Sequence, residues 1–298
     1  MNTKGQLSES VKGGDFLALA RALTLVENDL EGSRELLTDI HTDPNTIILG
    51  VTGPPGAGKS TLVNAMVTRL VDQNKKIAVL AVDPTSPFNL GSLLGDRIRM
   101  SCHFNNPNVF IRSIATRGAV GGLSAKIIEM VDVLRLGGFD YIIVETVGVG
   151  QSEIEIAGLA DLTIVVLVPE AGDEIQHIKS GLMEIGNAFV VNKADRDGAQ
   201  AFAANLIKML HQRSVSVPVF KTVADKHEGI NELLEWTALQ RAEDNERKPH
   251  LYAEKAFRLI QNYKMKHVNK ADLLRQIKEE LKKEDFNLYI FVQKFETD

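Results

Sequence analysis

Three short clusters in this sequence carry side chains whose types and spacing suit polyphosphate chemistry. The first is Gly53-Pro54-Pro55-Gly56-Ala57-Gly58-Lys59-Ser60-Thr61, which fits the pattern G-x-x-x-x-G-K-[ST]. Glycines let the backbone approach a ligand closely and turn its N–H groups inward around an anion. A helix starting near Lys59 adds the positive end of its dipole. Lys59 would reach the β- and γ-phosphates, the Ser60 hydroxyl would hold Mg²⁺, and Thr61 would lie near the α-phosphate. The expected ligands are therefore a nucleoside triphosphate and Mg²⁺.

The second cluster, Asn192-Lys193-Ala194-Asp195, suggests which base. Guanine presents N1–H and a 2-amino group, and the Asp195 carboxylate can accept from both. Adenine presents an acceptor at N1 and no 2-amino group, so the carboxylate would face a lone pair. A mismatch of that kind discriminates by ~10⁴ or more. The Lys193 stem would lie over the base, and Asn192 would tie its loop to the phosphate loop. The same four residues also suit a helix-initiating turn with Asp195 as N-cap. Downstream, Thr222-Val223-Ala224-Asp225 could bring a backbone N–H at Val223 or Ala224 to guanine O6.

The third cluster is a set of carboxylates at strand ends. Asp83, followed by Pro84-Thr85-Ser86-Pro87, would stand beside the phosphates and bind Mg²⁺ directly or through water, although a strand-terminal turn Asp reads equally well there. Glu145 ends an apolar run and occupies the acidic position that follows such a strand in phosphate-loop enzymes. Gly148, three residues on, is spaced to sense the γ-phosphate with its N–H, so the loop would switch on hydrolysis. Gln151 is the candidate for positioning the attacking water, and no arginine finger can be singled out among Arg97, Arg99 and Arg117. Intrinsic hydrolysis is therefore expected to be slow, roughly 10⁻⁴ to 10⁻² s⁻¹. Cys102-His103 lacks the further ligands that a transition metal needs.

These residues must be held by a particular scaffold. Continuous apolar runs at 46–52, 76–83, 108–114, 140–145, 161–168, 188–192 and 217–220 read as strands, with helical periodicity between several of them, such as 123–136. Strands apolar on both faces and separated by helices imply an α/β fold, a mostly parallel sheet covered on both sides. All three clusters then fall at strand carboxyl ends, where such sheets bind ligands. Residues 1–43 read as an N-terminal helical arm, 44–240 as the nucleotide domain and 241–298 as a C-terminal helical extension suited to dimerisation.

Composition sets outer bounds. The chain has 298 residues, 44% of them apolar and 24% charged, enough for a substantial core. A net charge of −5 argues against nucleic acid as partner. The single cysteine, Cys102, suits a reducing compartment. No apolar run reaches the ~20 residues of a membrane span, and no export signal is evident before Asp15. The expectation is a cytoplasmic protein without a membrane partner.

The chain resembles the MeaB/ArgK family of P-loop GTPases, which includes the mammalian methylmalonic aciduria type A protein. The resemblance rests on Gly53–Thr61, Ala81–Ser86, Gly95–Met100, Phe110–Arg112, Gly121-Gly122, Glu145–Glu153, Gly172–Gln176 with Lys179 and Gly181, and Asn192–Asp195. It implies a homodimeric GTPase that chaperones an adenosylcobalamin-dependent acyl-CoA mutase of the methylmalonyl-CoA mutase type, gating cofactor loading and protecting the enzyme. It also implies a Mg²⁺ environment of Ser60, Asp83, Asp96 and Glu145. Phe88-Asn89-Leu90 and Ser113–Gly118 depart from the family pattern beside the switches. The alternatives are a nucleotide-dependent metallochaperone, which needs Cys and His ligands, and a phosphotransferase, in line with arginine/ornithine transport kinase descriptions in the family.

Overall fold

A computed structural model describes residues 3–40, 45–83, 100–115, 126–146, 152–169, 180–212, 217–240, 248–265, 268–282 and 286–295. Asp96, Gly148 and Gln151 lie outside the described residues, as do Arg97, Arg99, Arg117 and Gly172. Asp83 is described by its backbone alone, as the last residue of its strand.

Seven strands form one sheet: β1 (Ile47–Thr52), β2 (Ile77–Asp83), β3 (Val109–Ala115), β4 (Tyr141–Glu145), β5 (Leu162–Leu167), β6 (Ala188–Val191) and β7 (Val219–Lys221). Their order is β3-β2-β4-β1-β5-β6-β7, and every pairing is parallel. The sequence dictates this burial. Every residue of β4, β5 and β6 is buried, which only a sheet covered on both faces can provide. Chain order reverses on either side of β1, so a crevice opens at its carboxyl end.

The helix after β1, α4 (Lys59–Asp72), buries Leu62, Val63, Met66, Val67 and Leu70 against β1, β2 and β4. Before β1 come α1 (Thr3–Lys12), α2 (Phe16–Glu27) and α3 (Ser33–Thr38). Asp15 caps α2, its Oδ1 accepting from Leu17 N–H at 2.8 Å and Ala18 N–H at 3.1 Å. Leu19, Leu23 and Val26 on α2 are buried, and α2 lies on α5 (Ile127–Arg135). Phe16 meets the Phe110 ring edge-on at 5.5 Å, and Arg112 on β3 donates to Glu27 Oε2 at 2.7 Å. These helices thus belong with the sheet to one compact unit, Met1–Lys248. The unit is completed by α6 (Ser152–Leu159), α7 (Ser180–Ile185), α8 (Ala199–Gln212) and α9 (Ile230–Leu239).

A second unit, Pro249–Asp298, holds most of α10 (Lys248–Lys264) with α11 (Lys270–Glu280) and α12 (Leu288–Gln293). Pro249 is accommodated because the first helical turn has no N–H partner to lose. Phe291 is buried between Phe286 and Phe295, whereas Phe257, Ile260, Leu274, Leu281, Tyr289 and Ile290 are exposed. Among the described residues, no helix is long and apolar enough to cross a membrane.

Candidate functional site

The phosphate end is built where β1 turns into α4. Gly53 has φ of 137°, and a Cβ there would sit 2.1 Å from the Val166 carbonyl oxygen on β5. Only glycine lets the loop leave the strand so close to its neighbour. Gly58 is left-handed, with φ of 85°, and a Cβ on it would fall 2.4 Å from Asn192 Nδ2. The loop is therefore shaped by backbone conformations that side-chain-bearing residues avoid. Pro55 and Gly56 form its exposed crest, and Ala57 is buried beneath.

Lys59 folds back into the loop, its Nζ donating to the carbonyls of Gly53 at 3.0 Å and Pro54 at 3.1 Å. The ammonium is thus held at the mouth of α4, beside the loop that a polyphosphate would line. Ser60 Oγ donates to Glu145 Oε1 at 2.6 Å. That short bond joins the first turn of α4 to the end of β4, and Glu145 is only 4% exposed. Thr61 follows in the same turn, half-buried. Beside Glu145, Thr146 Oγ1 donates to Thr52 Oγ1 at 2.9 Å, and Thr146 N–H reaches the Val51 carbonyl at 3.0 Å. The chain leaving β4 is therefore pinned to the chain leaving β1. Nothing in the local spacing marks these two threonines; the parallel register of β1 and β4 brings them together.

The proposed base end lies across the loop, at the ends of β6 and β7. Asn192 is 2% exposed and uses both ends of its amide. Its Nδ2 donates to the Ala57 carbonyl at 3.0 Å, while its Oδ1 accepts from Thr222 Oγ1 at 3.1 Å and Ala224 N–H at 3.3 Å. One side chain thus ties the phosphate loop to both base-side loops. Lys193 is left-handed, with φ of 55°, and its Nζ donates to the Gly56 carbonyl at 2.9 Å. Asp195 does not serve as the N-cap of α8, which starts at Ala199; it meets Lys226 instead, Nζ to Oδ2 at 2.8 Å. That hydrogen bond holds the Asp195 carboxyl below the usual carboxylate range. Val223 N–H donates to Glu228 O at 3.1 Å, so it and Ala224 N–H both have protein acceptors here.

The structure therefore gathers Gly53–Thr61 with Glu145 at one end and Asn192, Lys193 and Asp195 with Val223 and Ala224 at the other. His103 lies apart, against the middle of α4. The Thr68 hydroxyl lies 2.9 Å from the Asn64 carbonyl, which it can reach as donor, and 3.2 Å from His103 Nε2. Cys102 Sγ is 3.7 Å from Asn64 Oδ1. Among the described residues, no group of three or more His, Cys, Asp or Glu side chains could hold a metal.

Comparison with known proteins identifies the family. The model of the family described as methylmalonyl-CoA mutase-associated GTPase MeaB matches residues 19–282. A putative GTPase of Pyrococcus abyssi is 49% identical over 236 residues, 76% of this chain and 73% of that protein. The GTPase ArgK of Escherichia coli is 42% identical over 205 residues, 66% and 62% of the two chains. The mouse mitochondrial methylmalonic aciduria type A homolog is 37% identical over 243 residues, 74% and 59%. Among solved structures, a LAO/AO transport system kinase superposes with a TM-score of 0.68 at 26% identity, covering 99% of this chain and 97% of the other. With a phosphate loop in an all-parallel sheet and relatives named as GTPases, the chain belongs to the MeaB family of methylmalonyl-CoA mutase-associated P-loop GTPases.

Proposed function

We propose that this GTPase is a guanine-nucleotide switch that chaperones an adenosylcobalamin-dependent acyl-CoA mutase, gating cofactor loading and protecting the loaded enzyme. The observation that carries the reading is the Asn192 amide, which couples the phosphate loop to the base-reading loops through three hydrogen bonds. A ligand gripped at both ends is sensed as one body. The family description and the mouse relative's name support the mutase as client.

Lys59, the loop N–H groups and the N-terminus of α4 bind the β- and γ-phosphates and stabilise charge as it develops in transfer to water. Asp195 accepts from guanine N1–H and the 2-amino group, while Lys193 covers the base. Ser60 and Glu145 offer a hydroxyl and a carboxylate oxygen in one buried spot. Such hard oxygen donors, few in number, fit Mg²⁺, which takes one or two carboxylates and leaves room for phosphate. Asp83 and Asp96 complete the proposed set. Bound there, Mg²⁺ would neutralise charge on the β- and γ-phosphates. Gly148 would sense the γ-phosphate and Gln151 orient water, with slow turnover until the client binds.

The exposed apolar residues of the Pro249–Asp298 unit support a homodimer built through those helices. The single thiol suits the cytoplasm. The test is co-purification with a cobalamin-dependent mutase in GDP and non-hydrolysable GTP states, with hydrolysis followed alongside. State-dependent capture and client-stimulated turnover are expected. Labelled phosphate on an acceptor other than water would favour a phosphotransferase instead.

A further inference from the structure

Asp195 is exposed, on a loop beyond the last residue of β6. An exposed carboxylate normally rotates freely, and a base that must be read by two parallel N–H groups then pays to align it. Here the carboxylate is met by the Lys226 ammonium, Nζ to Oδ2 at 2.8 Å. Lys226 comes from a rigid support. It ends the short 3₁₀ turn Ala224–Lys226, and its own N–H donates to Val223 O at 3.0 Å. Val223 and Glu228 close the turn, each N–H donating to the other's carbonyl, at 3.1 and 3.2 Å. The same turn supplies the Ala224 N–H that bonds Asn192, so the backbone that carries Lys226 is anchored to the rest of the proposed base site.

We infer that Lys226 is a positioning residue for base discrimination: its ammonium on Oδ2 fixes the Asp195 carboxylate so that guanine meets it already aligned. This deepens, and rests on, the reading that Asp195 accepts from guanine N1–H and the 2-amino group. A carboxylate has about four lone-pair sites. One lysine contact on Oδ2 leaves Oδ1 whole and a second site on Oδ2, enough for both guanine donors. Lys226 therefore stays in place when the base arrives. The contact also favours the ionised carboxylate, the form that accepts two hydrogen bonds. Since both side chains are about half exposed (53% and 42%), the pair adds little to folding, and its removal leaves the fold intact.

The test measures dissociation constants of the full chain for GDP, for IDP, which lacks the 2-amino group, and for ADP. Lys226→Met is expected to weaken GDP by about fivefold, the upper range for an exposed charge pair. The GDP-over-IDP preference should shrink by a similar factor, and Tm should hold. Lys226→Arg should restore most of the preference. On an Asp195→Asn background, Lys226→Met should change nothing further. Lys226→Gln serves as a second neutral variant should the methionine disturb folding. Unchanged or tighter GDP binding by both neutral variants overturns the positioning role, the latter because Lys226 would then compete with the base. Wild-type GDP affinity and GDP-over-IDP preference in Asp195→Asn would instead sink the base reading itself, a separate failure.

Discussion

The two ends of the proposed nucleotide site are built on different physical terms. At the phosphate end, Lys59, Ser60 and Glu145 are 7%, 6% and 4% exposed, and each is fixed to the ends of central strands or to the loop between them. At the base end, Asp195 and Lys226 are about half exposed, just beyond β6 and the edge strand β7. The difference follows the ligand. A triphosphate is the same in every nucleotide and heavily charged, so it gains most from donors held where the effective dielectric is low. A base is identified by a few hydrogen bonds, and an open rim allows it to enter and leave. The buried end should therefore govern chemistry and the exposed end identity, with Asn192 making one site of two.

The largest expected effect lies at the buried end. Lys59→Ala should lower single-turnover GTP hydrolysis by about 10² to 10³, the cost of losing one preorganised donor to a developing charge. The fold should survive, because the lysine bonds carbonyls of its own loop. If Lys193→Ala, at the open rim, slowed hydrolysis as much as Lys59→Ala, the division between the ends would fail. Gly53→Ala attacks the same end through the backbone. The new Cβ meets the Val166 carbonyl at 2.1 Å, so either the loop or β5 must move. We expect a loss of about 3 kcal/mol in urea denaturation, from overpacking added to backbone strain.

Asn192→Ala tests the join. It strips partners from the buried Ala57 carbonyl, the Thr222 hydroxyl and the Ala224 N–H at once. Stability should fall by about 2 kcal/mol. The sharper readout is that GDP, which engages both ends, should weaken more than inorganic pyrophosphate, which engages only one. Equal weakening would mean that the asparagine merely supports the phosphate loop.

What the sequence made legible divides along a similar line. The strands were readable because burial on both faces leaves long β-branched runs such as Leu162-Thr163-Ile164-Val165-Val166-Leu167. The phosphate loop was readable because its glycines answer a local conformational demand. The reach of Asn192 to the loop could be anticipated from the pairing of motifs. Helices α6 and α8 were not read: α6 gathers its apolar residues on no single face, and α8 follows directly on the Asn192–Asp195 cluster, which drew the reading to chemistry. The Thr52–Thr146 contact and the Asp195–Lys226 pair were invisible for another reason. They depend on which strands lie side by side, and a lysine in a surface turn has no pattern of its own. Arg112 and Glu27, 85 residues apart, became partners only once α2 settled on β3.

The smallest expected effect is a pH dependence that separates the two ends. Burial against α4 holds the His103 pKa below its usual 6.5. Above that pH the imidazole is neutral in both folded and unfolded chains, and nothing is lost. Below it the unfolded chain takes a proton that the native site resists, so stability falls until the lowered native pKa is passed, by at most about 1.4 kcal/mol per pH unit. Urea denaturation between pH 7.5 and 5.5 should show this slope, and His103→Gln, which keeps a hydrogen-bonding group toward Thr68, should flatten it. The base end should not respond over the same window, because a carboxylate ordinarily titrates well below it and the Lys226 contact lowers the Asp195 carboxyl further. GDP-over-ADP discrimination should thus stay constant while the α4 side softens. If discrimination instead declined in step with stability, acid would be acting on one cooperative site, and the contrast between a buried chemical end and an exposed reading end would have to be given up.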